Sequence, residues 1–350
     1  MPVRSPRPDR IGRLAAFIAT AALAVAACST GGTATAPSPT PTLAPTPPPP
    51  ANPYSGATPG SGAGIKLGYL SYGDLVPYVR QISDGVRAQA ATAGVDLVTC
   101  DANVDLATVD GCMKQLTDAG IKGLIQFQGQ LKLPSEVCAK VPTGVPVLAV
   151  EFAEDPCAAT LVAADDLRAG QVAGAAVGAW VKEHWTCTYD AYVSLESAAA
   201  PERSRLRMEG YRQGFATACP ISNEQVGRSA DREDTARDAV AALLASLPGK
   251  SRIVVVAMND DGTLGALDAA KAAGREADVW VSGQGAEGRV RDLIRTNEHY
   301  LGDAAYFPDR FGATIVPAML DLVAGKPVPK LLLIEPAWVD STTIRTIYPG

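Results

Sequence analysis

Side-chain chemistry begins with nucleophiles, bases and metal ligands, and this chain of 350 residues is sparing with all three. A nucleophile needs a base beside it, and only His184 and His299 are available for that role. Neither a Gly-x-Ser-x-Gly elbow nor a His-Glu-x-x-His pair accompanies them. Neither histidine follows a strand end, and His184 closes a helical stretch, where a cation suits the helix dipole. Two carboxylate pairs, Asp165-Asp166 and Asp260-Asp261, have the residue types of acid-base catalysis, but neighbours in one loop rarely point together. Solvated loop charges or helix caps are the plainer reading of both pairs. Gly283-Gln284-Gly285-Ala286-Glu287-Gly288 spells the Gly-x-Gly-x-x-Gly of a dinucleotide site, with Asp303 at about the distance of a ribose-binding acid. That fingerprint belongs in the first strand-helix turn of a domain, whereas this run stands late in the chain. Its glycines read better as a loop passing close to a ligand. Neither a catalytic residue nor a cofactor nor a metal is expected.

At the other end of the chain, Arg4, Arg7, Arg10 and Arg13 precede an apolar run, Leu14 to Ala27, too short to span a bilayer as a mature helix. The segment reads as an export signal over residues 1–27. Val25-Ala26-Ala27-Cys28 resembles the bacterial lipobox, which implies cleavage before Cys28 and diacylation of its thiol; an ordinary signal that happens to precede a cysteine is the alternative. Ser29 to Gly64 is nearly all Ser, Thr, Ala, Pro and Gly, with Pro47 to Pro50 in a row. Such a composition cannot bury a core, so residues 28–64 are expected to be a lipidated cysteine and a disordered stalk. Four Arg and one Asp leave with the signal, and the −6 of the whole chain becomes −9. An acidic protein without a Lys/Arg cluster is a poor binder of nucleic acid, so small molecules and proteins are the expected partners.

Six cysteines remain: Cys100, Cys112, Cys138, Cys157, Cys187 and Cys219. An even number in an exported chain suggests disulfides, and no Cys-x-x-Cys or histidine cluster supports a metal site instead. Successive pairs each bracket about one helix or one helix-strand unit. That spacing favours Cys100 with Cys112, Cys138 with Cys157, and Cys187 with Cys219, though sequence alone leaves other connectivities open.

The elements that must position any site alternate from Ile65 onward. Ile65 to Leu70 reads as a strand, Val79 to Ala93 as a helix stopped by Gly94, and Val95 to Thr99 as the next strand. A helix over Leu106 to Ala119, a strand at Gly123 to Phe127, a helix around Ser135 to Lys140 and a strand at Val145 to Val150 continue the series. A second series starts near Gly170: helix to His184, strand Tyr189 to Leu195, helix Ser204 to Thr217, strand near Asn223 to Arg228, helix Asp234 to Ser246. Strand Arg252 to Ala257, helix Gly262 to Ala273, strand Val279 to Ser282 and helix Gly288 to Thr296 complete it. Short apolar strands between helices imply parallel sheets covered on both faces, and the length calls for two lobes. Ligands of such sheets bind outside the carboxyl ends of the strands.

This order of elements, together with Ala257-Met258-Asn259-Asp260-Asp261-Gly262-Thr263-Leu264-Gly265-Ala266-Leu267 and Ala272-Ala273-Gly274, resembles the type I periplasmic binding proteins. The nearest branch looks like the ribose-binding-like substrate-binding components of ABC importers, and the resemblance covers Ile65 to Gly350. Asp84-Gly85, Ala164-Asp165-Asp166 with Gly170, Arg207-Met208-Glu209-Gly210-Tyr211 and Pro308-Asp309-Arg310-Phe311-Gly312 support it. The resemblance implies an α/β fold of two doubly wound parallel-sheet lobes joined by a three-crossing hinge. Residues 65–165 with 307–336 would form one lobe, and 166–306 with 337–350 the other. It places the ligand against Ser71, Tyr72 and Asp74, against Glu151 and Phe152, and against Arg207, Asp231, Asn259, Gln284 and Tyr306. Sugar binders of this branch usually carry an Asp-Arg pair after the fourth strand, an Asp after the late glycine-rich strand and a Gln at the second crossing. Here Glu151-Phe152, Gly285 and Tyr306 stand in those places, which points to a less hydroxylated or partly aromatic ligand rather than a pentose.

The expectation is a monomeric extracytoplasmic lipoprotein on the outer face of the bacterial cytoplasmic membrane. It would capture a small polar ligand, sugar or sugar-like, and deliver it to ABC permease subunits. A ligand sensor signalling to a membrane receptor is the alternative within the fold, and an exported hydrolase using a cleft carboxylate is the alternative from another class.

Overall fold

The computed structural model describes residues 51–129 and 132–349. The expected signal peptide and Cys28 lie outside the described residues. Two six-stranded sheets form the framework. The first sheet has the spatial order β2 (Asp96–Asp101), β1 (Lys66–Ser71), β3 (Gly123–Gln126), β4 (Val147–Val150), β5 (Ala158–Ala164) and β11 (Leu331–Ile334), all parallel. The second has the order β7 (Glu224–Gly227), β6 (Ala191–Leu195), β8 (Ile253–Ala257), β9 (Val279–Gly285), β10 (Tyr300–Ala305) and β12 (Ala337–Val339), of which only β12 is antiparallel. In each sheet the chain order reverses beside the first strand, which opens a crevice at the carboxyl ends.

Helices cover both faces. In the first lobe these are α1 (Pro77–Ala93), α2 (Leu106–Asp118), α3 (Pro134–Cys138) and α9 (Phe311–Val323). In the second they are α4 (Asp166–Trp185), α5 (Pro201–Ala216), α6 (Glu233–Ser246), α7 (Asp260–Ala272), α8 (Gly288–Thr296) and α10 (Ile344–Ile347). Local chemistry sets their ends. Pro77 opens α1, where a missing N–H costs nothing, and Gly94 closes it at φ 71°, a conformation glycine adopts without strain. The side chains of Asp105, Asp165 and Asn259 cap α2, α4 and α7 by accepting backbone N–H bonds.

The chain passes between the lobes three times: from β5 to α4, from β10 to α9, and from β11 to β12. The two-lobed, three-crossing fold is therefore the one expected. The strands β5, β10, β11 and β12 and the helices α9 and α10 are additional to the elements read from the sequence.

Glycine packing joins two helix pairs at unusually short range. On α4, Gly170, Gly174 and Gly178 face α5, and Gly210 and Gly214 on α5 face back. A Cβ on Gly174 would lie 2.2 Å from the Tyr211 carbonyl oxygen, and one on Gly210 would lie 2.3 Å from that of Leu167. In the first lobe, Gly85 of α1 and Gly312 of α9 touch in the same way.

The chain takes up structure before Ile65. Asn52 donates to Thr314 Oγ1 at 2.7 Å, the Tyr54 hydroxyl to Asp321 at 3.1 Å and the Ala57 N–H to Gln89 at 2.7 Å. The Gly62 N–H reaches the Ala93 carbonyl at 2.8 Å. A disordered stalk running to residue 64 is thus corrected over residues 52–64, because Tyr54 and these bonds supply the contacts that a Pro/Gly composition does not provide by itself. The three expected disulfides are formed, each with a Cα–Cα distance of 5.4 Å: Cys100–Cys112, Cys138–Cys157 and Cys187–Cys219.

Candidate functional site

A cavity of about 180 Å³ lies between the lobes beside the hinge. From the first lobe Tyr78 enters it, standing in the first turn of α1. The second lobe contributes Arg203 and Arg207 from α5, Asn259, Asp260 and Asp261 from the start of α7, and Gln284, Gly285 and Glu287 from the end of β9 and the loop after it. Tyr306, at the crossing from β10, completes the wall.

Arg203 and Arg207 stand four residues apart and so share a helix face. Arg207 Nε donates to Asp166 Oδ1 and its Nη1 to the Met258 carbonyl, both at 2.7 Å, while its guanidinium lies 4.6 Å over the Tyr306 ring. Burial alone would lower the pKa of Arg207, but the Tyr306 hydroxyl and Asp166 outweigh it and raise the pKa. Arg203 reaches across the cleft: Nη1 sits 2.8 Å from Glu151 Oε2, in ion-pair range without hydrogen-bond alignment, and Nη2 donates to the Glu151 backbone carbonyl at 3.3 Å. Its guanidinium covers the Phe152 ring at 5.1 Å. The Tyr78 hydroxyl donates to Glu151 Oε1 at 3.0 Å, and burial, with the Glu151 charge added, pushes its pKa well above the ordinary phenol value.

Behind the opposite wall lies a carboxyl pair. Asp303 accepts from the N–H groups of Gly283 and Ala286 and from the Tyr300 hydroxyl, while Asp260 Oδ2 accepts from the Glu287 N–H at 2.8 Å. Burial first, and then the neighbouring Asp303 charge, push the Asp260 carboxyl far above its usual range. Two buried polar atoms of the wall have no protein partner: Asp260 Oδ1 and Gln284 Nε2. The Tyr306 hydroxyl is bonded to Gln284 Oε1, which leaves the amide nitrogen free to donate.

Of the ten ligand positions expected, the cavity gathers Arg207, Asn259, Gln284 and Tyr306. The other six, Ser71 among them, lie around it. Tyr72 stacks on Phe127 with ring centroids 6.2 Å apart. Asp74 is held within its own lobe by Ser71, Ser83 and Arg87; burial would raise its carboxyl, but these bonds, Arg87 first, keep it below the ordinary value. Glu151 and Phe152 serve Arg203, and Asp231 accepts from Ser197 Oγ at 2.6 Å while its carbonyl receives the Asn259 amide at 2.8 Å.

The ligand set read from the sequence did not include Tyr78, Arg203, Asp260, Asp261, Gly285 or Glu287. The spacing of Arg203 from Arg207 is a signal for one of them. Asp165 does cap a helix, accepting the Arg168 N–H at 2.9 Å, but a solvated loop charge is wrong for Asp260, which is only 5% exposed and faces the cavity. Gly285, at φ 147°, has its α-carbon so close to Asp260 that a Cβ would stand 2.6 Å from Oδ2. The glycine run thus shapes a cleft wall. Among the described residues no group of three His, Cys, Asp or Glu is placed to hold a metal ion.

The family model described as a periplasmic binding protein domain matches residues 68–327. None of the curated proteins matches the chain. Solved structures do. A periplasmic ribose ABC transporter protein from Conexibacter woesei superposes with a TM-score of 0.70 at 19% identity, over 83% of this chain and 97% of its own. A solute-binding protein from Actinobacillus succinogenes with bound D-allose gives 0.66 at 17% identity, over 81% and 99%. The Caulobacter myo-inositol-binding protein, with myo-inositol bound, gives 0.63 at 22% identity, over 83% and 98%.

Proposed function

The chain belongs to the periplasmic binding protein domain family, and from that premise we propose that it is the solute-capturing component of an ABC importer, taking a sugar-sized polar molecule into the cleft between its lobes. The observation that carries the reading is the interlobe cavity itself, lined by Tyr78 on one side and by Arg203, Arg207, Asn259 and Gln284 on the other. A ligand held there touches both lobes only when they are closed, so binding favours closure. The cavity is smaller than the roughly 300 Å³ at which drug-sized pockets begin, which suits a monosaccharide or cyclic polyol better than a nucleoside. D-Allose and myo-inositol, held by the structural neighbours, are molecules of that size, and more hydroxylated than the ligand expected from Glu151-Phe152, Gly285 and Tyr306.

In this reading the protein works as a monomer, tethered outside the cytoplasmic membrane through a diacylated Cys28, and presents the closed form to permease subunits. Mass spectrometry of the membrane-extracted protein tests the anchor: the lipid mass increment must disappear in Cys28→Ala. Thermal unfolding against a panel of monosaccharides, polyols and amino derivatives tests the cleft. A ligand at 100 times its Kd adds about 2.7 kcal/mol, and Arg207→Ala should remove the stabilisation. Absence of stabilisation by every compound would overturn the assignment.

A further inference from the structure

Both arginines of the cavity are already neutralised by the protein. Arg207 is paired with Asp166 and Arg203 with Glu151, and both carboxylates are themselves buried or nearly so. The remaining ionisable side chains of the lining, tyrosines aside, are carboxyls: Asp260, which burial and Asp303 push toward the neutral form, a bias that an adjacent cation opposes, and Asp261 and Glu287. Asp261 has Arg289 at the surface, but Arg289 also serves Glu233, and Glu287 has no ion-pair partner among the described residues. Burial, then repulsion from Asp261, raises the Glu287 carboxyl, and the charges of Arg289 and Arg291 offset this only in part. The orphaned atoms have complementary needs. Gln284 Nε2 is a donor facing the cavity from a side chain 1% exposed, and Asp260 Oδ1 is a carboxyl oxygen without a donor. A metal ion does not meet these needs, since the described carboxylates form no group able to hold one.

We propose that the ligand is a hydroxylated molecule bearing a protonated amine, an amino sugar or amino polyol, with its ammonium seated between the side chains of Asp260 and Glu287, whose N–H already meets Asp260 Oδ2, and a ring or hydroxyl oxygen accepting from Gln284. This rests on the cleft being the solute site. An ammonium offers three donors in one compact charge, which supplies the carboxyl oxygens with what the surrounding protein withholds. A neutral hydroxyl in the same place satisfies hydrogen bonds but leaves the negative potential uncompensated.

The test is titration calorimetry of the purified protein with matched pairs: glucose against glucosamine, galactose against galactosamine, and myo-inositol against an inosamine. At least one amine should bind about tenfold or more tighter than its neutral partner, the effect of one partly buried charge contact. The ratio should shrink as salt rises. Glu287→Gln and Asp260→Asn should each bring the amine down toward its neutral partner. Equal binding of the two members of every pair, or tighter binding of the neutral one, overturns the inference while leaving the solute-binding reading intact. An amine preference untouched by both substitutions overturns the residue assignment. Failure of all compounds, neutral and charged, removes the solute-binding reading and this inference with it.

Discussion

A methyl group added at Gly174 separates the packing argument from ordinary helix propensity. The new Cβ would start 2.2 Å from the Tyr211 carbonyl oxygen and 2.9 Å from the Phe215 nitrogen, both backbone atoms that no rotamer change can move. Restoring a van der Waals contact of 3.4 Å requires α5 to withdraw from α4 by about 1.2 Å. Overpacking of this kind costs about 1–3 kcal/mol, or a melting point lower by about 3–10 °C for a chain of this size. The displacement reaches the cleft, because Arg207 lies one helical turn before Tyr211 on α5 and anchors to Asp166 and Met258 through bonds of 2.7 Å. Gly174→Ala should therefore lower both the melting temperature and the affinity for whichever solute stabilises the native protein. Gly111→Ala is the control: it lies inside α2, is exposed, and has nothing within 4 Å of its added Cβ. There the same change should stabilise by about 0.5–1 kcal/mol through helix propensity. Calorimetry and titration of the two variants side by side decide the matter. If Gly174→Ala melts at or above the native temperature and binds as well, the backbone-to-backbone packing of α4 and α5 does not hold the site.

Glu151→Gln should loosen the closed form, since Glu151 bonds Tyr78 in its own lobe and pairs with Arg203 in the other. Contacts of charged groups are worth about 1.5–3 kcal/mol, so small-angle scattering without ligand should show a larger radius of gyration for the variant, and an unchanged radius would refute the role. Glu154→Gln should flatten the pH dependence of stability. Glu154 is 1% exposed, burial pushes its carboxyl from 4.5 up to about 7, and its Oε2 has no partner. A folded state that holds this proton more tightly than the unfolded chain loses stability as pH rises from 4.5 to 7, by about 2–3 kcal/mol, and urea titrations across that window should show the loss only in the native protein. Serine pairs in place of the disulfides should rank by loop length: about 4 kcal/mol for Cys187–Cys219, which spans 32 residues, against about 3 kcal/mol for Cys100–Cys112, which spans 12. Chemical unfolding under oxidising conditions measures the order, and a larger loss at the shorter loop would contradict it.

The elements legible in the sequence were those whose residues favour one state on their own. Ile253 to Val256 is β-branched and buried, and α6 and α7 have apolar residues at helical spacing with Asn259 capping α7. The elements that escaped lack such signals. Strand β5 is Ala158-Ala159-Thr160-Leu161-Val162-Ala163-Ala164, and β10 ends in Gly302-Asp303-Ala304-Ala305; their strand state comes from neighbours already in the sheet rather than from propensity. Helix α9 contains Pro317, an interior breaker that the packing on α1 tolerates. The cleft divides along the same line. Arg207 on its helix, Asn259 and Gln284 after strands and Tyr306 at a crossing came from the family resemblance, whereas Tyr78 and Glu287 depend on how a helix and a loop turn toward a cavity that exists only once both lobes are built. The glycines at 170, 174 and 178, four apart and so on one helix face, were a visible signal of close helix packing.

The charges of the cleft fall into a part that moves and a part that does not. Arg207, Asp166 and the Met258 carbonyl belong to one lobe and stay together however the lobes are arranged, because α4 and α5 are locked by glycine contacts. Arg203 to Glu151 joins the lobes and breaks when they part. A solute therefore meets a preformed wall in the second lobe, with Arg207 fixed and the donor of Gln284 waiting, and gains the first lobe's contribution only on closure. Tyr78 is that contribution: it is the lining residue from the first lobe, and its hydroxyl is tied to the same Glu151 that holds Arg203. Since a ligand shifts an equilibrium only by the difference in what it gains from the two states, contacts to Gln284 or Asn259 set affinity for either form, while the contact to Tyr78 is what favours closure.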